Sequence, residues 1–478
     1  MYLNIRIILC LSLFCNFISA QNELQESYTL EDCISIAIEN NLELKSAKLS
    51  SNTAEVNFKQ SKANFLPNLN GNINVGVNNG RSIDPFTNDF INQRLTFSSA
   101  NLNLDMTIFN GFRLINQAKQ NKLNILAAEM EIEEAKQDLI LRVTLAYLQV
   151  LNNRDILTLA KNRLQTTEEQ LELQKEFYEN ESGNPADYAD IKGQLTLDET
   201  SILSAQSGFN SSKLELLQLL NLTDNDIELN AKNLLLDFEQ YERSAEEVYQ
   251  DATQNLATFK ARELRVDASK KGVNVAKAQF TPEISFFAGL NTNYSSAAQL
   301  FTETGTSFVE TGDFITIDGE NVPVLTESSS FDSNDIGFSE QFDNNLSTNF
   351  GVSMRVPIFN GFQAKNNVAL EKIRVEESMV ALEQTQLEIK NAIAQVHFDM
   401  ETTYLRYESL LKQVTAFEES YRINEIRFNN GISNFLNYVT SKNNLDNAKI
   451  NLTNAKYDYL LRTKVLDYYR GNFRYGLY

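Results

Sequence analysis

A large internal duplication constrains the fold of this chain more than any other feature. The sequence Ile-Phe-Asn-Gly-Phe occurs at 108–112 and again at 358–362, so the copies are offset by 358 − 108 = 250 residues. In each copy an alternating apolar and polar stretch ends at the motif, and a long run with apolar residues at every seventh position follows. The same offset relates Leu195 to Leu445. We therefore predict one unit built twice: a helix, two strands, a long helix, a break and a further helix.

The alternating stretches predict two strands in each half, because a period of two gives a strand one apolar and one polar face. They cover 66–78 and 93–109 in the first half, and 282–294 and 346–359 in the second. The apolar face should include Ile73, Val75, Leu102, Leu104, Val352 and Met354, with Asn349 on the polar face. Leu95 and Phe97 are out of phase, and a bulge near Ser98 and Ser99 is expected to restore the alternation. Residues 295–345 are rich in Ser, Thr, Gly and acids and are predicted to form a surface loop.

The runs after the motifs predict very long helices. Residues 112–179 contain neither proline nor glycine, and 68 helical residues would span about 100 Å. The first run has Val143, Val150, Leu157, Leu164, Leu171 and Tyr178 seven residues apart, and the second has Leu382, Ile389, Val396, Thr403, Leu410 and Phe417. A sustained seven-residue repeat indicates left-handed coiled-coil packing. We expect each long helix to turn back at a tip, with Asn184 and Ser433 as the caps of the returning helices.

The N-terminus and the remaining segments complete the predicted organisation. Residues 1–20 contain Arg6, an apolar run and a terminal Ser-Ala, a pattern typical of a signal peptide. The first repeat is then 21–221, with its first helix interrupted near Asn40 and Asn41. Residues 222–243 form a linker, 244–467 the second repeat, and 468–478 an aromatic C-terminal tail.

Composition disfavours enzymes and nucleic-acid binders. Removing 1–20 takes away one basic residue and no acid, so the charge becomes 41 − 63 = −22, which repels nucleic acid. Cys33 is then the sole cysteine, which excludes an intrachain disulfide and a cysteine metal site. His397 is the sole histidine and lies in a helical run, where a structural role is expected. Because phosphate-loop and zinc motifs are also absent, we expect no catalytic residue, no cofactor and no metal.

The strands alone fit either a soluble sandwich or a membrane barrel. Four strands cannot close a membrane barrel, for which about eight is the minimum. Open strand edges are not tolerated in lipid, so several chains would have to pool their strands.

The signal peptide, the duplicated strand pair and the long helix hairpins together resemble the TolC family of outer-membrane efflux channels. The resemblance covers nearly the whole mature chain, and is most specific at the corners Asn110-Gly111 and Asn360-Gly361 and along 431–471. It implies an α+β membrane protein in which long antiparallel coiled-coil helices form an α-barrel. That α-barrel would continue into a trimeric transmembrane β-barrel with four strands from each chain.

The resemblance also implies a function and partners. The protein would be a homotrimer in the outer-membrane lipid of a Gram-negative bacterium, with a large periplasmic part. It would act as the passive exit duct of a tripartite efflux or type I secretion system. A periplasmic adaptor (membrane fusion) protein and an inner-membrane transporter would be its partners. A structural periplasm-spanning coiled coil without a conducting pore is the alternative.

Candidate site residues follow from the family's motifs at the helix tips. Drug-efflux members carry two acids just after the second tip, where this chain has Asn437 and Thr440; acids occur instead at Asp187 and Asp190, after the first tip. These four residues are candidates for the pore entrance. The alternative role is a helix-dipole residue for Asp187 and a solvated charge for Asp190. The family's adaptor-contact glycines match Gly183 and Gly431, for which ordinary helix-break chemistry is the alternative.

Overall fold

A computed structural model describes residues 27–83, 88–92, 94–181, 183–222, 227–230 and 239–472. The expected signal peptide, part of the expected linker and the end of the tail lie outside these residues. The chain divides into two compact units. The helical unit comprises Met1–Glu55, Leu123–Asp267 and Glu376–Tyr478, and the sheet unit comprises Val56–Lys122 and Ala268–Val375.

The helices and strands follow the duplicated order. The helices are α1 (Leu30–Asn40), α2 (Leu42–Ala63), α3 (Arg113–Glu179), α4 (Pro185–Leu220), α5 (Ala245–Asn255), α6 (Ala257–Lys277), α7 (Phe338–Asn344), α8 (Gln363–Asn429) and α9 (Phe435–Tyr469). The strands are β1 (Ser27–Tyr28), β2 (Asn68–Asn78), β3 (Arg81–Ile83), β4 (Phe90–Asn92), β5 (Leu95–Phe109), β6 (Glu228–Leu229), β7 (Glu283–Ser295), β8 (Gln299–Ile317), β9 (Glu320–Asp335) and β10 (Ser347–Arg355). None of the described helices contains a stretch both long and apolar enough to cross a membrane.

The sheet unit is built on an antiparallel sheet with strand order β10-β7-β5-β2. Its register places the expected apolar-face residues on one face, because Leu102 lies opposite Leu290 and Val352 opposite Phe286. Asn349 lies opposite Gly289 on the other face, so the predicted division of side chains is confirmed. The apolar face is open: Ile73 is 77% exposed. Among the described strands, β2 and β10 each have a neighbour on one side only, which leaves two free edges.

The bulge expected near Ser98 and Ser99 is wrong. Pairing of β2 with β5 runs without interruption from Asn68 opposite Asp105 to Asn78 opposite Leu95. Phe97 instead sits on the polar face above Gly76, where an added Cβ would lie 2.6 Å from the ring. A glycine thus makes room for the out-of-phase aromatic ring, and the strand needs no extra residue.

Two further expectations about the second half are also wrong. The last strand ends at Arg355 rather than 359, because Pro357 has no N–H group to donate to a neighbouring strand. The segment 295–345 is not a loop: β8 and β9 form a long antiparallel hairpin, and α7 follows it. Asp318 and Gly319 make the tight turn of that hairpin, both at positive φ, as a two-residue hairpin turn requires.

In both repeats the first helix of the helical unit begins with the same kind of cap. A capping box begins α1 at Thr29 and another begins α5 at Ser244, an offset of 244 − 29 = 215 residues. The offset after the strands is 250, and the longer connection between β7 and β10 accounts for the difference. The expected interruption of the first helix is confirmed, with α1 ending at Asn40.

The single histidine and the one cysteine of the expected mature chain both have structural surroundings. The Nε2 atom of His397 lies 2.8 Å from the carbonyl oxygen of Arg243. A carbonyl oxygen only accepts, so this nitrogen carries the proton and donates. Cys33 is fully buried, and burial raises the pKa of its thiol to about 12.

The two Phe-Asn-Gly corners have the same geometry. The backbone N–H of Arg113 donates to the carbonyl oxygen of Asn110 at 3.2 Å, and the N–H of Gln363 donates to that of Asn360 at the same distance. In each corner the glycine and the following phenylalanine both have positive φ, between 63° and 66°. The phenylalanine also packs edge-on against the aromatic residue before the asparagine. The sequence repeat therefore encodes a left-handed turn between strand and helix.

The two corner glycines provide a matched test. Gly361→Ala should cost about 1 kcal/mol of unfolding free energy, the ordinary penalty for a side chain at positive φ. Gly111→Ala should cost about 1–3 kcal/mol more, because its Cβ would lie only 1.7 Å from Oγ1 of Thr281. Guanidinium unfolding followed by circular dichroism measures both. Equal losses would show that the contact with Thr281 does not matter.

Candidate functional site

The helix hairpins of the helical unit end at two tips with matching caps. The first tip joins α3 to α4, and the second joins α8 to α9. Asn184 caps α4 by accepting from the N–H of Ala186 at 3.1 Å, as expected. Asn434 caps α9 by accepting from the N–H of Asn437 at 3.1 Å. The expectation that Ser433 is this cap is wrong, because its short hydroxyl sits one residue too early.

The two tip glycines are not structural equivalents. The offset of 250 relates Gly431 to Glu181, and both adopt positive φ at the end of their helices. Gly431 has open space around it, so its conformation is what favours glycine. Gly183 is needed for a different reason: an added Cβ would lie 2.9 Å from Cβ of Phe177. The tips therefore break their helices by similar turns with glycines at different places.

The four candidate entrance residues occupy equivalent places on the two tips. Since 187 + 250 = 437 and 190 + 250 = 440, Asp187 matches Asn437 and Asp190 matches Thr440. Asp190, Asn437 and Thr440 are exposed, and Asp187 is half-buried. Among the described residues, no hydrogen bond or ion pair joins the first pair to the second. The chain thus carries acids on the first tip, whereas the equivalent places on the second tip are held by Asn437 and Thr440.

Asp187 lies against the residue that caps its helix. The side-chain amide of Asn184 donates to its Oδ1 at 3.3 Å. Burial, with a smaller effect from the nearby Asp190 carboxylate, raises the pKa of Asp187. Both carboxylates lie in the first turns of α4, where the helix N-terminus also favours negative charge.

An aromatic cluster lies behind the tips and joins the two hairpins. Phe428 stacks on Tyr438 with ring centroids 5.0 Å apart, and Phe435 closes the cluster beside them. Ile191 of α4 is buried against these rings. The Tyr421 hydroxyl at its edge donates to Oε1 of Glu425 at 2.6 Å. This packing fixes the first tip against the second.

A buried charge network, which the sequence periodicity does not predict, lies further along the same helices. Asp198 of α4 is fully buried, and its Oδ1 lies 2.6 Å from Nε of Arg163 on α3. Lys442 of α9 is 4% exposed and lies 3.7 Å from Asp198 and 3.2 Å from Asp446. Two acids and two bases therefore balance each other between the hairpins, which we call the buried network.

Neutral side chains complete the buried network. The hydroxyl of Thr167 donates to Asp198 at 2.6 Å, and the side-chain amide of Gln194 donates to it at 2.7 Å. A buried charge is tolerated only when it is paired and hydrogen-bonded, and these two bonds supply donors to the buried carboxylate of Asp198. The sequence did contain a signal: Asp198 and Lys442 lie seven residues after the buried Ile191 and Phe435, at core positions of the repeat.

Known proteins share both the sequence pattern and the fold. The pattern of the family described as Outer membrane efflux protein matches residues 33–222 and 319–471. Outer membrane efflux protein BepC of Brucella suis is 22% identical over 302 residues, which are 63% of this chain and 61% of BepC. The match thus spans about three fifths of that relative.

Two solved structures match over most of the chain. CusC, whose structures concern transmembrane channel formation, aligns with a TM-score of 0.74 at 17% identity over 92% of each chain. The outer membrane protein VceC of Vibrio cholerae aligns with a TM-score of 0.71 at 16% identity, over 92% of this chain and 96% of VceC. The matching family is described as one of efflux proteins, and the description of CusC names a transmembrane channel. The chain belongs to the TolC-like outer membrane efflux protein family and is located in the outer membrane.

Proposed function

We propose that three copies of this chain form the passive exit duct of a tripartite efflux or type I secretion system. The observation that carries the proposal is the sheet β10-β7-β5-β2, which has one exposed apolar face and two free edges. Backbone groups at a free edge cannot stay unsatisfied in lipid. Pairing of β2 from one copy with β10 from the next satisfies them and closes a twelve-strand barrel.

The other face of the sheet suits a wet lumen. Asn72, Asn101 and Asn291 lie side by side across three strands on that face. Amide side chains form a hydrophilic lining, whereas a structural protein with no pore has no need of one. Single-channel current across a planar bilayer distinguishes the two candidates: the duct conducts, and the structural coiled coil does not.

The long helices suit a tube that crosses the periplasm. The 67 residues of α3 span about 100 Å, and α8 has the same length. The hairpin tips would meet at the periplasmic mouth, where Gly183 and Gly431 contact a periplasmic adaptor. The inner-membrane transporter supplies the energy, because a passive duct needs no catalytic group of its own.

The apolar face of the sheet should tolerate charge less well than the polar face. Val352→Arg should destabilise the assembled oligomer by about 2–4 kcal/mol, because it places a charge in lipid. Asn349→Arg on the lumen side of the same strand should have little effect. Heat-resistant oligomer in outer-membrane fractions measures both. Normal assembly of Val352→Arg together with failure of Asn349→Arg would invert the assignment of the faces.

The acids at the first tip should make the mouth cation-selective. Carboxylates crowded at a narrow entrance raise the local concentration of cations. Asp187→Asn combined with Asp190→Asn should move the reversal potential towards zero in asymmetric salt, while the oligomer stays intact. Glu168→Gln with Glu199→Gln removes the same charge from exposed positions away from the tips and is the matched control.

The pH dependence gives a second readout of the same site. The pKa of Asp187 is raised, so this carboxylate takes up its proton at a higher pH than an ordinary aspartate, whose pKa is about 4. Selectivity should therefore begin to fall as the pH drops while ordinary carboxylates are still charged. A reversal potential that is unaffected by the double substitution would leave both acids as helix-start and surface charges.

The buried network should hold the mouth closed, because parting the two hairpins separates its charges. Asp198→Asn removes the negative charge that Arg163 and Lys442 share, and it should cost about 3–5 kcal/mol of unfolding free energy. It should also raise the conductance. Asp458→Asn removes a partly exposed partner of Arg462 and should cost at most about 1 kcal/mol. Equal stability and equal conductance in the two variants would contradict this role.

A further inference from the structure

The β8–β9 hairpin is a large surface that has no role in the proposed duct. Its strands have 19 and 16 residues and, in the part of the chain that the structure describes, pair only with each other. At this length the hairpin would reach roughly 60 Å if straight. A two-stranded hairpin is marginally stable in water unless something packs against it. The hairpin therefore has the form of a surface that gains stability from a partner.

Four phenylalanines line one face of this hairpin. They are Phe301, Phe308, Phe314 and Phe331, each between 58% and 72% exposed. Phe308 lies opposite Glu327 and Phe314 opposite Pro323, so both fall on the face of the odd-numbered residues of β9, which includes Phe331. The irregularity between Glu303 and Gly305 shifts the phase of β8 and brings Phe301 onto the same face. We call this surface the Phe face.

The hairpin carries charge of one sign only. Residues 299–335 contain eight acids and no lysine, arginine or histidine. Four of the acids, Glu303, Glu310, Glu327 and Asp335, lie on the Phe face by the same register. Within the described part of the chain, no cation forms an ion pair with them. Carboxylates interleaved with aromatic rings complement lysine or arginine next to apolar side chains, through salt bridges and cation–π contacts.

The strand ends fix the position of the hairpin in the sheet. The ends of β2, β5, β7 and β10 that connect to long helices meet at one end of the sheet, where Asn68 lies opposite Asp105 and Glu283 opposite Arg355. The hairpin is inserted between β7 and β10 at the other end. If the helices face the periplasm, as the proposed function requires, the hairpin faces the outside of the cell.

We propose that the Phe face is a docking surface for an extracellular polypeptide segment with lysine or arginine alternating with apolar residues. The orientation of the surface rests on the proposed function, whereas its chemistry does not. A second copy of the hairpin is a poor occupant, because it would bring carboxylates against carboxylates.

Binding to a defined probe tests the chemistry. The probe is a fluorescent peptide of alternating lysine and leucine, added to the full-length oligomer in detergent, with fluorescence anisotropy as the readout. Changing the four phenylalanines to serine keeps every charge and should weaken binding at least about tenfold. The matched control changes Val309, Ile315, Ile317 and Val322 to serine; these residues lie on the opposite face and should leave binding unchanged.

Three outcomes would overturn the proposal. The first is wild-type protein that does not bind the peptide. The second is a phenylalanine variant that binds as well as the wild type, which would indicate adsorption by charge alone. Cross-linking of hairpins to one another within the free oligomer would identify a second copy as the occupant. An oligomer mass equal to that of the wild type shows that each variant is folded.

Labelling of intact cells tests the orientation separately. Asp318→Cys places a thiol at the hairpin turn, and Cys33 is buried, so a membrane-impermeant maleimide should label the variant selectively. An unlabelled variant would overturn the extracellular placement of the docking surface. Bilayer conductance of the same variant reports on the duct itself, so the two failures can be told apart.

Discussion

The free edges of β2 and β10 are the constraint on which the rest of the structure depends. Each edge presents a row of backbone donors and acceptors along a sheet whose apolar face is already exposed. In water such an edge invites aggregation, and in lipid its unsatisfied groups are costly. One chain cannot close the sheet on itself with four strands. In the proposed duct, copies of the same chain supply the missing strands, and a duplicated unit that supplies two strands at a time suits a closed ring.

The helical unit solves a different problem, which is to hold two long hairpins side by side without a thick core. Small and aliphatic residues at seven-residue spacing fill most of the contact, and the aromatic cluster seals it near the tips. The buried network interrupts this apolar contact with paired charges. An apolar seam allows helices to slip in register, whereas the paired charges of Asp198 and Lys442 fix one register. The network thus joins the two hairpins at one position along their length.

Sequence periodicity is sufficient for the elements whose side chains alternate regularly. The two faces of the sheet and the long helices follow from periods of two and seven, because each period reports which side chains share one face. The β8–β9 hairpin does not give this signal, since its irregular register breaks the alternation. The buried network needs three helices to meet, and the seven-residue repeat indicates only that Asp198 and Lys442 occupy core positions, not that they pair. The tip glycines were paired by residue type, whereas the offset of 250 pairs Gly431 with Glu181.

The mass of the purified protein tests whether several chains pool their strands. Light scattering that separates the contributions of protein and detergent gives the number of chains in the folded particle. We predict three chains per particle, because the proposed barrel closes only when β2 and β10 of neighbouring copies are paired. A folded particle with a single chain and an intact sheet would contradict it, since both edges would then be stable without a partner.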